Sequence, residues 1–290
     1  MVSTAAEVRK LFRDRGLAPK KWLGQNLLVD RRYLTRIVDA ANIAADEPIV
    51  EVGAGLGVLT QALVQRGAKV WALEIDSGFF RALQEKFSGS PDVELIHADA
   101  LKYDFRTLAA KLGKLRVVAN LPYSVSSRLL FRFFENRDLF GSLLILLQKE
   151  VTERLTADPG TKDYGVLTVL LGVSAEVREL FDIPGRAFYP APVVTSTLVS
   201  VSFPESPPLE VSDARLLTRL VKVCFASRRK TLKNNLRTGL PPDVTPETVA
   251  RAAVLADIEL GRRAETLTPV EFVRFAEAIR ESVAAMRSRQ

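Results

Sequence analysis

The sequence predicts an α/β protein, a largely parallel sheet followed by a small all-helical domain, and three observations carry that prediction. Short, branched apolar runs at 49–52, 69–73, 93–96 and 115–119 alternate with helix-like stretches such as 59–66 and 78–87, the rhythm of strands joined by right-handed crossovers. The run Pro204-Glu205-Ser206-Pro207-Pro208 then interrupts the pattern and marks a boundary, giving domains 1–204 and 205–290. Beyond it the signals are helical: Thr245 before Pro246, and a capping box at Thr268-Pro269-Val270-Glu271 with Leu267 and Phe272 as its hydrophobic staple.

In chain order, residues 3–15 place Val8, Leu11 and Phe12 at helical spacing among Arg9, Lys10, Arg13 and Arg15, a basic amphipathic segment. Residues 19–28 mix Lys20, Lys21, Trp22, Gln25 and Asn26 and read as a binding loop. Asp30 is placed to cap a helix reaching Asn42, with Leu34, Ile37, Val38 and Ala41 on its apolar face. After the four strands, 143–147 is a fifth buried run. Val173, Ala175 and Val177 alternate with polar residues, as do Val199, Val201 and Phe203, and are expected to form a closing antiparallel pair. Between them, Phe188-Tyr189-Pro190-Ala191-Pro192 is expected to lie near the sheet's carboxyl edge.

The strands end on chemically useful residues: Glu51 with Gly53, then Glu74, Asp99 and Asn120, spaced by about one βα repeat. Ligands of open α/β sheets bind at the carboxyl ends of the strands, so these groups are expected to converge on one crevice.

Composition narrows the chemistry. One cysteine, Cys224, excludes an internal disulfide and a multi-cysteine zinc site, and one histidine, His97, leaves little scope for a His-rich metal site, so no metal is expected. Both are read as structural. A net charge of +7 and a pI near 9.6 favour a polyanionic partner. No apolar stretch is long enough to span a bilayer and the start lacks a signal-peptide core, so a cytoplasmic protein is expected.

Glu51-Val52-Gly53-Ala54-Gly55-Leu56-Gly57 follows a strand and opens a helix, so its backbone can approach a ligand closely. Glu74, 21 residues after Gly53, can accept from both hydroxyls of a ribose, which leaves NAD and S-adenosylmethionine open. Asn120-Leu121-Pro122-Tyr123 decides between them. The Asn120 side-chain carbonyl and the Leu121 main-chain carbonyl can each accept an N–H of a conjugated amine, while Tyr123 offers a stacking face. Such a grip suits methyl transfer from a sulfonium donor held in line beside the amine.

These residues resemble the small-subunit ribosomal RNA adenine N6,N6-dimethyltransferases along nearly the whole chain. The resemblance rests on Gly24-Gln25-Asn26, residues 51–57 with Leu59-Thr60, Glu74-Ile75-Asp76, Asp99-Ala100, Asn120-Leu121-Pro122-Tyr123, Gln148-Lys149-Glu150-Val151, residues 188–192 and Arg228-Arg229-Lys230-Thr231-Leu232. It implies a Rossmann-like, seven-stranded methyltransferase sheet and a small C-terminal helical domain. It further implies that Asn26 and Leu28 touch the methionine end of S-adenosylmethionine above Gly53, that Glu74 holds its ribose and Asp99 its adenine, and that Asn120 edges the active site. Tyr123 and Phe188 would sandwich the flipped adenine. The implied substrate is two adjacent adenosines in the 3′-terminal hairpin of 16S rRNA, within a 30S subunit or its precursor, with the enzyme as a monomer. One departure is Arg128, where the family often has proline.

For RNA grip, residues 222–237 contain Lys222, Arg228, Arg229, Lys230, Lys233 and Arg237 and no acid. Such a run can neutralise phosphates with salt-dependent affinity. Two rivals follow from the same residues: a 23S rRNA adenine methyltransferase sharing fold and donor, and a non-catalytic ribosome assembly factor.

Overall fold

The computed structural model describes residues 5–20 and 23–287, so Ser3, Lys21 and Trp22 of the segments above lie outside the described residues. The chain divides into two compact units, Met1–Thr152 with Arg178–Phe203, and Glu153–Val177 with Pro204–Gln290. The first unit ends at Phe203, and the second takes in Glu153–Val177 as well as the chain from Pro204 onward.

In the first unit the elements are α1 (Ala5–Arg15), β1 (Leu27–Leu28), α2 (Arg31–Ala41), β2 (Pro48–Val52), α3 (Val58–Gln65), β3 (Lys69–Glu74), α4 (Ser77–Lys86), β4 (Val93–His97), α5 (Arg106–Leu112), β5 (Leu115–Asn120), α6 (Ser126–Glu135) and β6 (Phe140–Gln148). Helix α7 (Lys149–Leu155) and helix α8 (Val166–Ser174) come next, then β7 (Glu176–Ile183), β8 (Phe188–Tyr189) and β9 (Ser196–Ser202). Seven strands form one sheet in the order β4-β3-β2-β5-β6-β9-β7. The pairs β4–β3, β3–β2, β2–β5 and β5–β6 are parallel, and β6–β9 is antiparallel. The seven-stranded sheet implied by the resemblance is therefore present.

The chain winds outward in opposite directions from β2 and β5, which lie side by side. The loops after these two strands must diverge and leave a crevice between them. Sequence chemistry holds the surrounding pieces in place. Asp30 accepts from Arg32 N at 2.9 Å to start α2, a cap that contributes about 1 kcal/mol. Asn42 ends that helix at φ 45°. Phe105, Phe133 and Phe140 meet edge to face at 5.1 to 5.9 Å and lock α6, which follows the Asn120 tetrapeptide, onto the sheet. Arg128 is exposed in the first turn of α6, and the helix forms around it.

One expected element is different. Val173 lies in α8, and the strand begins only at Glu176. Residues 166–174 are apolar almost all round and buried on nearly every face, which suits an interior helix. The period-two pattern at 173–177 straddles a helix end. In the second unit, α8 packs with α9 (Ala214–Cys224) and α12 (Pro269–Arg287), beside α10 (Leu232–Asn235) and α11 (Pro246–Leu255). Thr245 caps α11, and the capping box closes with Thr268 N donating to Glu271 Oε2 at 2.7 Å and Glu271 N to Thr268 Oγ1 at 3.2 Å. Leu267 and Phe272 are fully buried, as a staple requires. Among the described residues no helix is long and apolar enough to cross a membrane.

Candidate active site

The crevice beyond β2 and β5 is bordered by Asn26, Gly53, Glu74, Asn120, Leu121 and Tyr123, and it adjoins a second hollow containing Asp99. The two share Leu23, Gly53, Ile75 and Pro122, so together they make one elongated cleft. Of the strand-end residues singled out from spacing, Gly53, Glu74, Asp99 and Asn120 line this cleft, whereas Glu51 does not.

Close approach is built into the backbone. Gly53 has φ 77°, and a Cβ there would lie 3.2 Å from Pro122 Cδ. Gly24 has φ 66°, and a Cβ there would lie 2.7 Å from Ser124 N. The loop before β1 therefore sits directly on the tetrapeptide. Asn120 exploits that contact: its Nδ2 donates to the Asn26 main-chain carbonyl at 2.8 Å, which fixes the amide's orientation. Its Oδ1 is buried and has no partner. A buried amide oxygen left unpaired costs about 1–3 kcal/mol and marks a site awaiting a donor.

Glu74 is 5% exposed and is gripped on both oxygens, Oε2 by Gly55 N and Oε1 by Asp76 N, each at 2.8 Å. Burial pushes its carboxyl up, against those two backbone donors. Asp99 accepts from Leu101 N at 2.9 Å, which sets the turn after β4. Lys20 of the expected binding loop is committed to Asp76, with Nζ to Oδ2 at 2.6 Å. His97 stacks on Phe80 at 4.6 Å and places Nε2 3.2 Å from the Ile75 carbonyl.

Two of the residues expected to touch donor or base are buried. Leu28 is 6% exposed and lines a hollow that shares Leu27, Gly53 and Asn120 with the cleft. Phe188, opposite Leu28 in the two-residue β1–β8 ribbon, is 2% exposed and packed in the core. It presents no free face for an adenine in this arrangement, because the ribbon turns it inward. Tyr123 is half-buried, with its hydroxyl hydrogen-bonded to Ser196 Oγ. Burial raises its phenol.

Sequence reasoning missed a buried pair beneath the glycine loop. Glu51 accepts from Thr60 Oγ1 at 2.5 Å, and burial pushes its carboxyl up to about 8 despite that bond and the nearby Lys86 ammonium. Lys86 Nζ donates to Gly57 O at 2.7 Å and Leu56 O at 3.1 Å, and burial lowers it to about 8 against the pull of Glu51. Lys86 therefore holds the carbonyls that the loop turns away from the cleft. Its partners lie 29 and 30 residues earlier, so no local pattern announces it.

In the second unit Arg229, Lys230 and Lys233 are exposed. Arg228 differs. Its guanidinium holds Glu265 Oε2 at 3.1 and 3.2 Å and donates to the carbonyls of Thr161 and Lys162. The run without acids thus meets one from 37 residues away, and Arg228 acts as an internal tie. Asn235 fixes the same turn through Cys224 O at 2.6 Å and Ser227 O at 3.0 Å. Cys224 is core, its thiol raised to about 12 by burial. Lys222 lies in the last turn of α9.

The family model described as ribosomal RNA adenine dimethylase matches residues 17–277. The chain belongs to that family. Within this dimethylase family it is similar to ribosomal RNA small subunit methyltransferase A of Geobacter metallireducens, 44% identical over 92% of this chain and 98% of the relative. Among solved structures it is similar to a dimethyladenosine transferase from Plasmodium falciparum, with TM-score 0.70 and 25% identity over 88% of this chain and 98% of the other. It is also similar to the 23S rRNA methyltransferase ErmE, with TM-score 0.64 and 26% identity over 88% of this chain and all of the other.

Proposed function

We propose that this dimethylase uses S-adenosylmethionine to dimethylate N6 of two adjacent adenosines in the 3′-terminal hairpin of 16S rRNA, within a 30S subunit or its precursor. It works in the cytoplasm as a single copy of the chain. The observation that carries the reading is the buried, unpaired Oδ1 of Asn120, held by Asn26 at the cleft where Gly53, Glu74 and Asp99 meet.

The cleft fits the donor. Its glycine turn is tight: Gly53 and Gly55 have φ 77° and 60°, and a Cβ would lie 3.2 Å from Pro122 Cδ at the first and 2.8 Å from Leu27 Cδ2 at the second. Its two carboxylates line the cleft, and in this reading Glu74 accepts from the ribose and Asp99 from the adenine, with Asn26 and Gly53 toward the methionine end. When bound, the sulfonium supplies an electrophilic methyl group.

The chain's own residues prepare the nucleophile. An adenine N6 is weak because its lone pair is delocalised into the ring. Asn120 Oδ1 and the Leu121 carbonyl accept its two N–H bonds and draw the lone pair back onto nitrogen, while Tyr123 stacks on the ring. Once alkylated, the cationic nitrogen sheds its proton to water, so no protein base is needed. The monomethylated nitrogen keeps one N–H, and one acceptor orients it for the second transfer. Arg229, Lys230 and Lys233 contribute phosphate contacts, and RNA shape and the extracted base supply target choice.

The likeness to ErmE keeps 23S rRNA as a second reading, and the small-subunit name of the curated relative favours the first. Tritium transfer from labelled S-adenosylmethionine to 30S particles lacking the hairpin methylation, with nucleoside analysis, tests it. N6,N6-dimethyladenosine is expected. Labelling of 23S rRNA but not of 30S particles would overturn the substrate, and donor binding without transfer to either would favour an assembly factor.

A further inference from the structure

The loop between β8 and β9 carries an apolar tip that the mechanism above does not use. Val193 is fully exposed, at 105% of its reference surface, and Val194 is 40% exposed. Pro190 and Ala191 beside them are also exposed. Single exposed valines need no explanation, but four neighbouring exposed apolar residues on one loop do. Residues 183–203 contain no acid, and their one charge is Arg186. The loop would not repel a polyanion, and its tip carries no cation with which to pair a phosphate.

Its position is bounded on both sides. Tyr189 pairs with Leu27 at the start of the loop. At its end, Ser196 lies opposite Gln148, the last residue of β6, on the carboxyl edge that also carries Asn120. The Ser196 hydroxyl is bonded to that of Tyr123. At no more than about 3.6 Å per residue, the Val193 Cα lies within about 11 Å of the Ser196 Cα. Gly185 packs against the Pro192 carbonyl, where a Cβ would lie 2.1 Å from the oxygen, so the base of the tip is braced. Stacked bases follow one another at about 3.4 Å, so the tip is within reach of the nucleotides flanking a base laid on Tyr123.

We propose that Val193 and Val194 form an apolar wedge that presses on the nucleobase next to the extracted adenosine and fills the gap left in the stack. This rests on the RNA substrate assigned above. Apolar side chains inserted at a base step are a known way of holding a distorted stack, and base faces are the part of RNA that an uncharged tip fits. Val193 and Val194 are positioning residues here, since they act on the neighbour of the reacting base.

The test uses the full chain and 30S particles whose 3′-terminal rRNA fragment is joined by ligation, with either the normal nucleotide or an abasic site next to the target. Val193→Thr with Val194→Thr keeps the shape and removes the apolar surface, and Val193→Leu keeps the apolar surface. The Thr pair should lower kcat/KM about tenfold on normal particles and less than twofold on abasic ones, where there is no stack to hold open. With 2-aminopurine at the target position, its fluorescence rise on binding should shrink in the same variant, and Val193→Leu should match the unaltered protein in both assays. Equal loss on both particles, or no loss on either, would overturn the wedge. If the unaltered protein methylates neither particle, the substrate assignment fails and the wedge falls with it.

Discussion

The cleft of the first unit and the basic run of the second both serve a charged or polar ligand by the reading above, yet they are built on opposite principles. In the cleft, the functional groups are held by internal hydrogen bonds: Glu74 by two main-chain amides, Asn120 by the Asn26 carbonyl, the glycine loop by the Lys86 ammonium and Tyr123 by the Ser196 hydroxyl. In the basic run, Arg229, Lys230 and Lys233 stand in solvent, while Arg228 is occupied internally. A small donor must be met at defined points, whereas a phosphate backbone is met by charge at varying distance. Rigidity and exposure therefore mark the two tasks.

The sharpest way to break the contrast is Asn120→Ala. It removes the amine acceptor but no donor-binding carboxylate, so kcat should fall by about a hundredfold or more, while isothermal titration with S-adenosylhomocysteine changes by only a few-fold. A variant with near-normal turnover would remove Asn120 from the chemistry. Next, Glu74→Ala should weaken donor binding by about 10- to 100-fold, since it loses ribose acceptors and frees two amides, with much of the rate recovered at saturating donor.

The third expectation splits the basic run. Arg229→Glu with Lys230→Glu should weaken particle binding roughly tenfold at low salt and flatten its salt dependence by about two phosphate contacts, leaving thermal stability unchanged. Arg228→Ala should do the reverse, lowering the unfolding midpoint by about 2–4 °C because the tie to Glu265 and the 161–162 turn is lost. Equal behaviour of the two variants would erase the distinction.

The smallest effect concerns the pair under the glycine loop. With its carboxyl raised to about 8, native Glu51 keeps a proton that the unfolded chain, near the ordinary 4.5, has released. This contribution to stability is present below about pH 4.5 and is lost as pH rises to about 8. Lys86, lowered from 10.5 to about 8, acts in the opposite sense above that, because the unfolded chain then binds the extra proton. Replacing Glu51 with Gln should accordingly flatten the decline in unfolding midpoint between pH 5 and 8, and melting curves at those two values suffice to check it.

Much of this was legible because the relevant signals are local. Strand runs, the Asp30 and Thr245 caps and the capping box at Thr268 each declare themselves within a few residues, and the strand-end residues follow from the repeat. What was hidden depends on distant partners. The acid for Arg228 lies 37 residues on, and the carbonyls for Lys86 lie about 30 back. Phe188 has an aromatic side chain that suits stacking on a base or packing in a core, and only its pairing with Leu28 decides for the core. Val173 misled because a helix end and a strand start together mimic alternation.

The β1–β8 ribbon, only two residue pairs long, carries a consequence of its own. A ribbon so short has little stability apart from its neighbours, yet it carries the segment whose Asn26 carbonyl orients Asn120, and it keeps Phe188 inside. Amide protons of Leu27 and Leu28 should exchange with deuterium well before those of β2 and β5, and each opening would at once release the Asn120 amide and bring an aromatic ring to the surface.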